Sequence, residues 1–262
     1  MSERRPGVPS WIARSAQPQT STTRPVPARA PLAPALARAP AAAVGLGLDS
    51  AAVRTRMAQR LEASGISHSS VLHAMATVER HRFVDSGLVN QAYEDTSLPI
   101  GLGQTISKPS VVARMIELLL GSEAAKSGLG RVLEIGTGCG YQAAVLGMVA
   151  REVYSIERLR GLHEKARNNL RPWRLPNVHL ILGDGMEGFP SGAPYAGIIS
   201  AAGGNSVPDA WCDQLAVGGR LVAPVVIGAG KQALLVIDKS SHGFKQSVLE
   251  AVNFVPLKSG IA

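Results

Sequence analysis

The segment Val132-Leu-Glu-Ile-Gly-Thr-Gly-Cys-Gly140 places a glycine-rich turn directly after a run of mainly apolar residues. The apolar run predicts a buried strand, and a helical pattern follows from Tyr141 to Val149. Glycines let the backbone turn tightly and approach a ligand closely, and the first turn of a helix offers free N–H groups. The stretch therefore predicts one strand–loop–helix unit with a ligand above the loop.

Short β-branched segments alternate with helical segments downstream of this unit. Strands are predicted over Val132–Ile135, Val153–Ile156, Val178–Leu182, Gly197–Ser200, Arg220–Val226 and Ala233–Ile237, and helices over Tyr141–Val149 and Leu159–Leu170. Such alternation requires crossover connections, so we predict an α/β fold with a doubly wound, mostly parallel sheet covered by helices on both faces. Ligands of these sheets bind beyond the carboxyl ends of the strands, here the loops after Ile135, Ile156, Leu182 and Ile199.

The chain before the glycine-rich stretch has a different pattern, with helical periodicity and one segment rich in glycine and proline. Helices are predicted over Val53–Leu61, Ser69–Glu79 and Pro109–Leu120, with Asp49 or Ser50 as the first cap, and an irregular loop over Leu98–Ser107. We therefore expect residues 49–125 to form a helical and loop segment and residues 126–262 to form the sheet. Together they make one domain, residues 49–262.

Residues 1–48 have the composition of an extension. Eight of the 17 prolines lie between Pro6 and Pro40, and residues 1–50 contain six arginines but only two acids. Half of the net charge of +8 therefore lies in the first fifth of the chain, and the remainder is only mildly basic. We expect this extension to be disordered, since it offers few large apolar groups to offset the entropy of ordering it. The charge does not by itself predict a specific nucleic-acid partner.

Composition also excludes several classes of protein and site. No apolar run approaches the roughly 20 residues that a membrane-spanning helix needs. The two cysteines, Cys139 and Cys212, cannot form a disulfide framework or a four-thiolate metal site, and no other ligand set has metal-binding spacing. We therefore expect neither a metal ion nor a membrane partner. No signal peptide is visible, so the cytoplasm is the expected location. A monomer is expected, although nothing in the sequence determines the oligomeric state.

Three carboxylates lie at the ends of successive predicted strands. Glu134 precedes the first glycine of the loop, Glu157 ends the second strand and Asp184 follows the third. A carboxylate at the second position can accept both hydroxyls of a ribose, and one at the third can accept a hydrogen bond from the amine of adenine. Glu134 suits a positive group. S-adenosylmethionine combines these features, although Glu157 as a helix cap and Asp184 as a turn residue are the structural alternatives.

A dinucleotide-binding protein is the alternative from another class. It would show the spacing G-x-G-x-x-G, with a pyrophosphate over the helix start. This chain has G-x-G-x-G preceded by an acid. An NAD- or nucleotide-binding protein stays open as an alternative at this point, because glycine loops occur both in dinucleotide-binding proteins and in proteins that bind S-adenosylmethionine.

Four segments together resemble the protein-L-isoaspartate O-methyltransferase family. They are Asp95–Ser107, Val132–Tyr141, Gly183–Gly185 and Asn253–Leu257, in the order and at the spacings of that family. Many methyltransferases share the glycine loop, whereas Leu98–Ser107 is specific to this family. The resemblance implies a Rossmann-like class I methyltransferase fold with an added N-terminal helical segment. It also implies transfer of a methyl group from S-adenosylmethionine to the free α-carboxylate of L-isoaspartyl residues in damaged proteins and peptides, with S-adenosylhomocysteine as the second product.

The resemblance assigns roles to individual residues. Ser107 matches the active-site serine of the family. The residues that match its cofactor-binding positions are Thr105, Glu134, Gly136, Thr137, Gly138, Gly140, Glu157, Asp184 and Gly185. The chain departs from the family pattern at Lys108, Ser110, Cys139 and Ala196.

The expected reaction needs little acid–base chemistry. A carboxylate is already ionised at neutral pH, so no general base is required, and Ser107 would orient one of its oxygens by hydrogen bonding. A methyltransferase acting on a small molecule or a nucleic acid stays open as an alternative. A nucleic-acid enzyme would favour a base-binding motif such as Asn-Pro-Pro-Tyr, which this sequence lacks.

Overall fold

The computed structural model describes residues 51–262. The disorder expected for residues 1–48 and the helix cap expected at Asp49 or Ser50 concern residues outside that range. No helix within residues 51–262 is both long enough and apolar enough to cross a membrane.

A seven-stranded sheet forms the centre of the described region, and a separate two-stranded sheet, β1 with β2, precedes it in the chain. The strands are β1 (Leu98–Gly101), β2 (Gln104–Ile106), β3 (Leu129–Ile135), β4 (Ala150–Glu157), β5 (Val178–Leu182), β6 (Tyr195–Ser200), β7 (Leu215–Gly228), β8 (Lys231–Ser240) and β9 (Gly243–Val252). The large sheet has the order β5-β4-β3-β6-β7-β8-β9. Its first five strands in this order pair in parallel, and β8 and β9 pair antiparallel at the β7 edge. The predicted doubly wound, mostly parallel sheet is confirmed.

Helices cover both faces of this sheet. They are α1 (Ala51–Ala63), α2 (Ser69–Thr77), α3 (Pro109–Leu120), α4 (Tyr141–Val149), α5 (Arg160–Leu170) and α6 (Asp209–Gln214). Alternate side chains of a strand point to opposite faces, so Val132 packs in one core cluster and Leu133 and Ile135 pack in the other. Strands β4 and β5 follow β3 toward one edge of the sheet, and β6 and β7 follow it toward the other edge. The strand order therefore reverses at β3, and a crevice opens at its carboxyl end.

The irregular loop predicted over Leu98–Ser107 was wrong. The segment is an antiparallel hairpin, in which Leu98 pairs with Ile106 and Pro99 with Thr105. Its turn passes through Leu102 and two flanking glycines, Gly101 and Gly103, all with positive φ. Glycine therefore serves the turn of the hairpin, and a proline is tolerated because a two-stranded ribbon has two open edges.

Two elements were missed by the sequence-based prediction. Strand β9 is an edge strand with eight of its ten residues exposed, so it has no alternation of apolar and polar residues to reveal it. Helix α6 spans six residues, which is too short for a helical period to be recognised.

Candidate active site

A cavity of about 240 Å³ lies at the carboxyl ends of β3 and β4. The glycine loop after β3 and the end of β4 form its floor, and the β1–β2 hairpin forms one wall. Residues Val255–Lys258 line the opposite side, so the cavity combines segments that are far apart in the sequence. Its position agrees with the site predicted from the strand ends.

The glycine loop follows β3 with Gly136, Gly138 and Gly140 all at positive φ. The amides of Gly136 and Thr137 both donate to the carbonyl of Ile156, at 2.8 and 3.1 Å. Gly138 has a φ of +58°, and a Cβ atom there would lie 3.2 Å from the hairpin residue Ile100. At Gly140 φ is +90°, directly before helix α4. Glycine thus permits both the turn and the close approach of the hairpin.

Glu157 ends β4 and lines the cavity with only 5% of its surface exposed. One carboxylate oxygen accepts from the amide of Gly138 and the other from the amide of Leu159, both at 2.9 Å. The second bond goes to Leu159, the residue before helix α5, and not to an amide of the first turn, so the helix cap considered as the structural alternative is not formed. Each oxygen keeps a further lone pair, so the same carboxylate can also accept hydroxyl groups from a ligand.

Asp184 and Gly185 follow β5 at the next strand end. One oxygen of Asp184 accepts from the amide of Met186 at 2.8 Å, which is a local turn contact, and the other accepts from the amide of Gly260 at 2.5 Å. Gly185 lines the cavity, and a Cβ atom there would lie 2.6 Å from the Cγ2 atom of Ile135. The close packing of this loop on β3 therefore requires glycine.

Glu134 lies one layer beneath the cavity. Its carboxyl group is completely buried and accepts a hydrogen bond from Ser155, whose hydroxyl also lies 2.6 Å from the hydroxyl of Thr137. The second carboxyl oxygen, Oε1, has no hydrogen-bond partner among residues 51–262. Burial raises the pKa of Glu134 to about 8. Thr137 contributes to the cavity wall, but its side chain points into this buried polar cluster.

Thr105 and Ser107 lie on the hairpin side of the cavity. Both residues line the cavity; Ser107 is half-buried and Thr105 is exposed. Ser107 lies two residues before helix α3, whose first turn is fixed by Asp95. The two oxygens of Asp95 accept from the amide and hydroxyl of Ser110, at 2.8 and 2.7 Å.

The four positions that depart from the family pattern lie in different environments. Lys108 is exposed at the start of α3, and Ser110 forms the bonds to Asp95. Cys139 is buried, and burial raises the pKa of its thiol to about 11, which leaves it unreactive. Ala196 is half-buried in β6, where a Cβ atom at Gly130 would lie 3.2 Å from its own.

Sequence reasoning missed several parts of the cavity wall. Leu102 at the hairpin tip, Leu159 after β4 and Val255–Lys258 all line it. The segment after Lys258 continues across the strand ends: Arg158 Nε donates to the carbonyl of Gly260 at 2.7 Å. The signal in the sequence was the Asn253–Leu257 segment, which contributed to the resemblance but carried no assigned role.

Within the described part of the chain, no group of three or more histidine, cysteine, aspartate or glutamate side chains could hold a metal ion. The polar groups of the cavity are instead backbone amides, hydroxyls, the carboxylate of Glu157 and the side chains of Gln104, Gln142, Arg158 and Lys258. They can bind a ligand with several hydroxyl or amine donors.

Comparisons with known proteins agree with this arrangement. Residues 52–262 match the family model of protein-L-isoaspartate(D-aspartate) O-methyltransferase. A protein-L-isoaspartate O-methyltransferase of Methylibium petroleiphilum is 61% identical over 218 residues, covering 82% of this chain and 81% of the relative. Protein-L-isoaspartate O-methyltransferase 2 of Cupriavidus necator is 60% identical, covering 78% of this chain and 69% of the relative.

Two solved structures share the fold. One is a protein-L-isoaspartate O-methyltransferase with a TM-score of 0.71 and 28% identity, covering 79% of this chain and 67% of the other. The second is a Plasmodium falciparum protein of the same description, solved with S-adenosyl-L-homocysteine, with a TM-score of 0.68 and 24% identity over 78% of this chain and 98% of that protein. Since the family match covers nearly all described residues, this chain belongs to the protein-L-isoaspartate(D-aspartate) O-methyltransferase family.

Proposed function

We propose that this chain moves a methyl group from S-adenosylmethionine to the free α-carboxylate of L-isoaspartyl residues in damaged proteins and peptides. The observation that carries the proposal is that Ser107, from the family-specific segment, and Glu157, at a strand end, line one cavity. The relatives that are about 60% identical and are named for this activity support it.

The residues present fit S-adenosylmethionine. Glu157 faces the cavity with free lone pairs for a ribose, and Gly185 lines it where adenine would lie. Asp184 is outside the lining, with both oxygens bonded to backbone amides, and would use its remaining lone pairs for the amine of adenine. The glycine loop, with Gly136, Gly138 and Gly140, would hold the methionine end, and Thr105 would close it from the hairpin. When bound, S-adenosylmethionine supplies a methyl group on a positively charged sulfur.

Glu134 and Thr137 contribute from below the loop in this proposal. Their shared contact with Ser155 fixes the path of the loop, and the unpartnered Oε1 of Glu134 is an acceptor close to where a cationic group would bind. Their role is therefore to shape the loop, and a cationic group bound above it would shift Glu134 from its protonated form toward its ionised form.

The chain's own residues need only position the acceptor. The α-carboxylate is ionised at neutral pH, so no side chain has to remove a proton. The hydroxyl of Ser107 donates to one carboxylate oxygen, which leaves the other free to approach the methyl group at roughly 3–3.5 Å. The hairpin with Leu102 and the segment Val255–Lys258 exclude water from the two sides.

The experiment is methyl transfer from radiolabelled S-adenosylmethionine to a peptide that contains one L-isoaspartyl residue. The same peptide with aspartate is the control. We expect labelling of the first peptide alone; equal labelling of both, or of neither, would contradict the proposal. Titration with S-adenosylhomocysteine and with NAD separates a methyltransferase from a dinucleotide-binding protein, because only the first should bind.

Three further properties belong to the proposal. We propose that residues 49–262 form one catalytic domain, supported by the unbroken family match over residues 52–262. The protein would be a monomer, which light scattering after size-exclusion chromatography tests. It would act in the cytoplasm without a nucleic-acid partner; the free thiols of Cys139 and Cys212 suit a reducing compartment, and cell fractionation tests the location.

A further inference from the structure

We propose that Arg80 is a positioning residue that fixes the spacing between the acceptor side and the cofactor side of the active site. It would act through Ala92 and Thr96 on the segment that carries Asp95, and through Tyr141 on the cofactor side. The inference deepens the proposed function and rests on it. Arg80 itself does not line the cavity.

Arg80 joins two parts of the chain inside the protein. It begins the short 3-10 helix Arg80–Phe83, and none of its surface is exposed. Its Nε atom donates to the carbonyl of Ala92 at 2.8 Å, and an Nη atom donates to the carbonyl of Thr96 at 3.3 Å. The guanidinium also lies over the ring of Tyr141, with 4.8 Å between its central carbon and the ring centroid.

The environment of Arg80 is costly for a positive charge. Within residues 51–262 no carboxylate forms an ion pair with it, and its Nη1 atom has no hydrogen-bond partner. Burial accordingly lowers the pKa of Arg80. A buried charge without a charged partner is expensive, whereas an apolar side chain of similar size would fill the same space without that cost. An apolar side chain could not make the hydrogen bonds to Ala92 and Thr96, so what arginine gains here lies in the contacts that it fixes.

The contacts of Arg80 lead to Ser107 in two steps. Ala92 and Thr96 flank Asp95, so the two carbonyl bonds hold the backbone on both sides of that carboxylate. Asp95 in turn accepts from the amide and the hydroxyl of Ser110 in the first turn of α3. Ser107 lies three residues before Ser110, so its position depends on this chain of bonds.

The other face of Arg80 leads to the cofactor side. Tyr141 is fully buried, lines the cavity and begins helix α4 directly after Gly140. Phe83 packs edge-on against the same ring at 5.6 Å between centroids, which keeps the ring in place under the guanidinium. One rigid group therefore contacts the cofactor-side wall directly, through Tyr141, and reaches the acceptor side through the segment that carries Asp95.

Two variants and one control test the inference. Arg80→Lys keeps the charge but replaces the planar group, so the two carbonyl bonds cannot both persist in their present geometry. Asp95→Ala breaks the next link at an exposed position, where folding is not at risk. Leu61→Ala is the control, since Leu61 is buried in α1 and lies outside the cavity lining.

The first readout is the kinetics of methyl transfer to the isoaspartyl peptide, expressed per site that binds S-adenosylhomocysteine. A misplacement of about 1 Å reduces rates by about 10²-fold, so we expect kcat to fall by about tenfold to 10²-fold in Arg80→Lys and Asp95→Ala. The KM for the peptide and the Kd for S-adenosylhomocysteine should change by less than about threefold, because the binding groups remain. Leu61→Ala should lose thermal stability and keep its kcat.

The second readout is hydrogen exchange of the segment from Ala92 to Ser107, which does not depend on the identity of the methyl acceptor. Exchange there should rise in both variants while the strands of the large sheet keep their protection. Unchanged exchange in that segment, or a fall in kcat matched by Leu61→Ala, overturns the inference. Should the wild type fail to methylate the isoaspartyl peptide, the proposed function fails while the exchange result still decides the role of Arg80. If Arg80→Lys does not fold, Asp95→Ala still tests the second link, and an unchanged kcat in that variant overturns the inference.

Discussion

The buried carboxyl group of Glu134 makes stability depend on pH in a way that one substitution removes. Burial raises its pKa from the ordinary value of 4.5 to about 8, so in the folded protein it carries its proton at neutral pH. The same group is ionised in the unfolded chain at that pH. Unfolding therefore releases a proton between pH 4.5 and pH 8, and rising pH favours the unfolded state throughout this range.

The size of the effect follows from the two pKa values. Each unit of pKa corresponds to about 1.36 kcal/mol, so the interval from 4.5 to 8 corresponds to at most about 5 kcal/mol. This stability is fully present below pH 4.5 and is lost progressively as the pH rises to 8. In Glu134→Gln an amide of nearly the same shape replaces the protonated acid, and it does not titrate.

The assay is urea unfolding of wild type and Glu134→Gln without cofactor, at steps between pH 5 and pH 8.5. The difference in the free energy of unfolding cancels the titration of all other groups. We expect wild type to lose stability relative to the variant by about 1.4 kcal/mol for each pH unit, up to about pH 8. In Leu61→Ala, which removes no titratable group, the corresponding difference should stay constant. A constant difference for Glu134→Gln would refute the protonated, buried carboxyl group.

Three further perturbations address the cavity. Ser107→Ala should lower kcat/KM for the isoaspartyl peptide by about tenfold or more and leave the Kd of S-adenosylhomocysteine within about twofold; unchanged turnover would remove its orienting role. Gly185→Ala places a Cβ atom 2.6 Å from Ile135 and should reduce the free energy of unfolding by about 1–3 kcal/mol in urea titrations, whereas wild-type stability would show that the loop moves freely. Removal of residues 259–262 deletes the Gly260 contacts with Asp184 and Arg158; calorimetry should show S-adenosylhomocysteine binding weakened by about tenfold, and tighter binding would mean that the segment obstructs the site.

The bounds of an element could be predicted from the sequence where its apolar residues follow a regular pattern. The helices Pro109–Leu120 and Tyr141–Val149 and the strand Val178–Leu182 have the predicted bounds. Their apolar residues repeat on one face or fill a short run, and proline or glycine marks the start of each helix. Strand β9 gives no such signal because it is almost wholly exposed, and the β1–β2 hairpin was hidden by the residues that form its turn.

The candidate site could be predicted where it uses charge and position together. Glu157 and Asp184 follow predicted strands, so the parallel sheet alone brings them to one edge. The wall formed by Leu102 and Val255–Lys258 has no such signature, because apolar side chains and backbone line a cavity without any characteristic spacing. Arg80 was missed for another reason: it lies in the polar run Arg80-His-Arg82, where nothing indicates that the first arginine is buried.

The strand-end acid Glu157 has structural contacts that are compatible with the ligand-binding role proposed for it. Glu157 holds the residue before helix α5 through the amide of Leu159 and braces the glycine loop through the amide of Gly138. Each bond uses one lone pair of one oxygen, so the carboxylate is held in a fixed orientation while acceptor capacity remains toward the cavity. A ligand hydroxyl then meets an acceptor that loses little freedom on binding, which increases affinity relative to a mobile side chain. The local contacts that a sequence would attribute to a cap are therefore the means by which the binding group is oriented in advance.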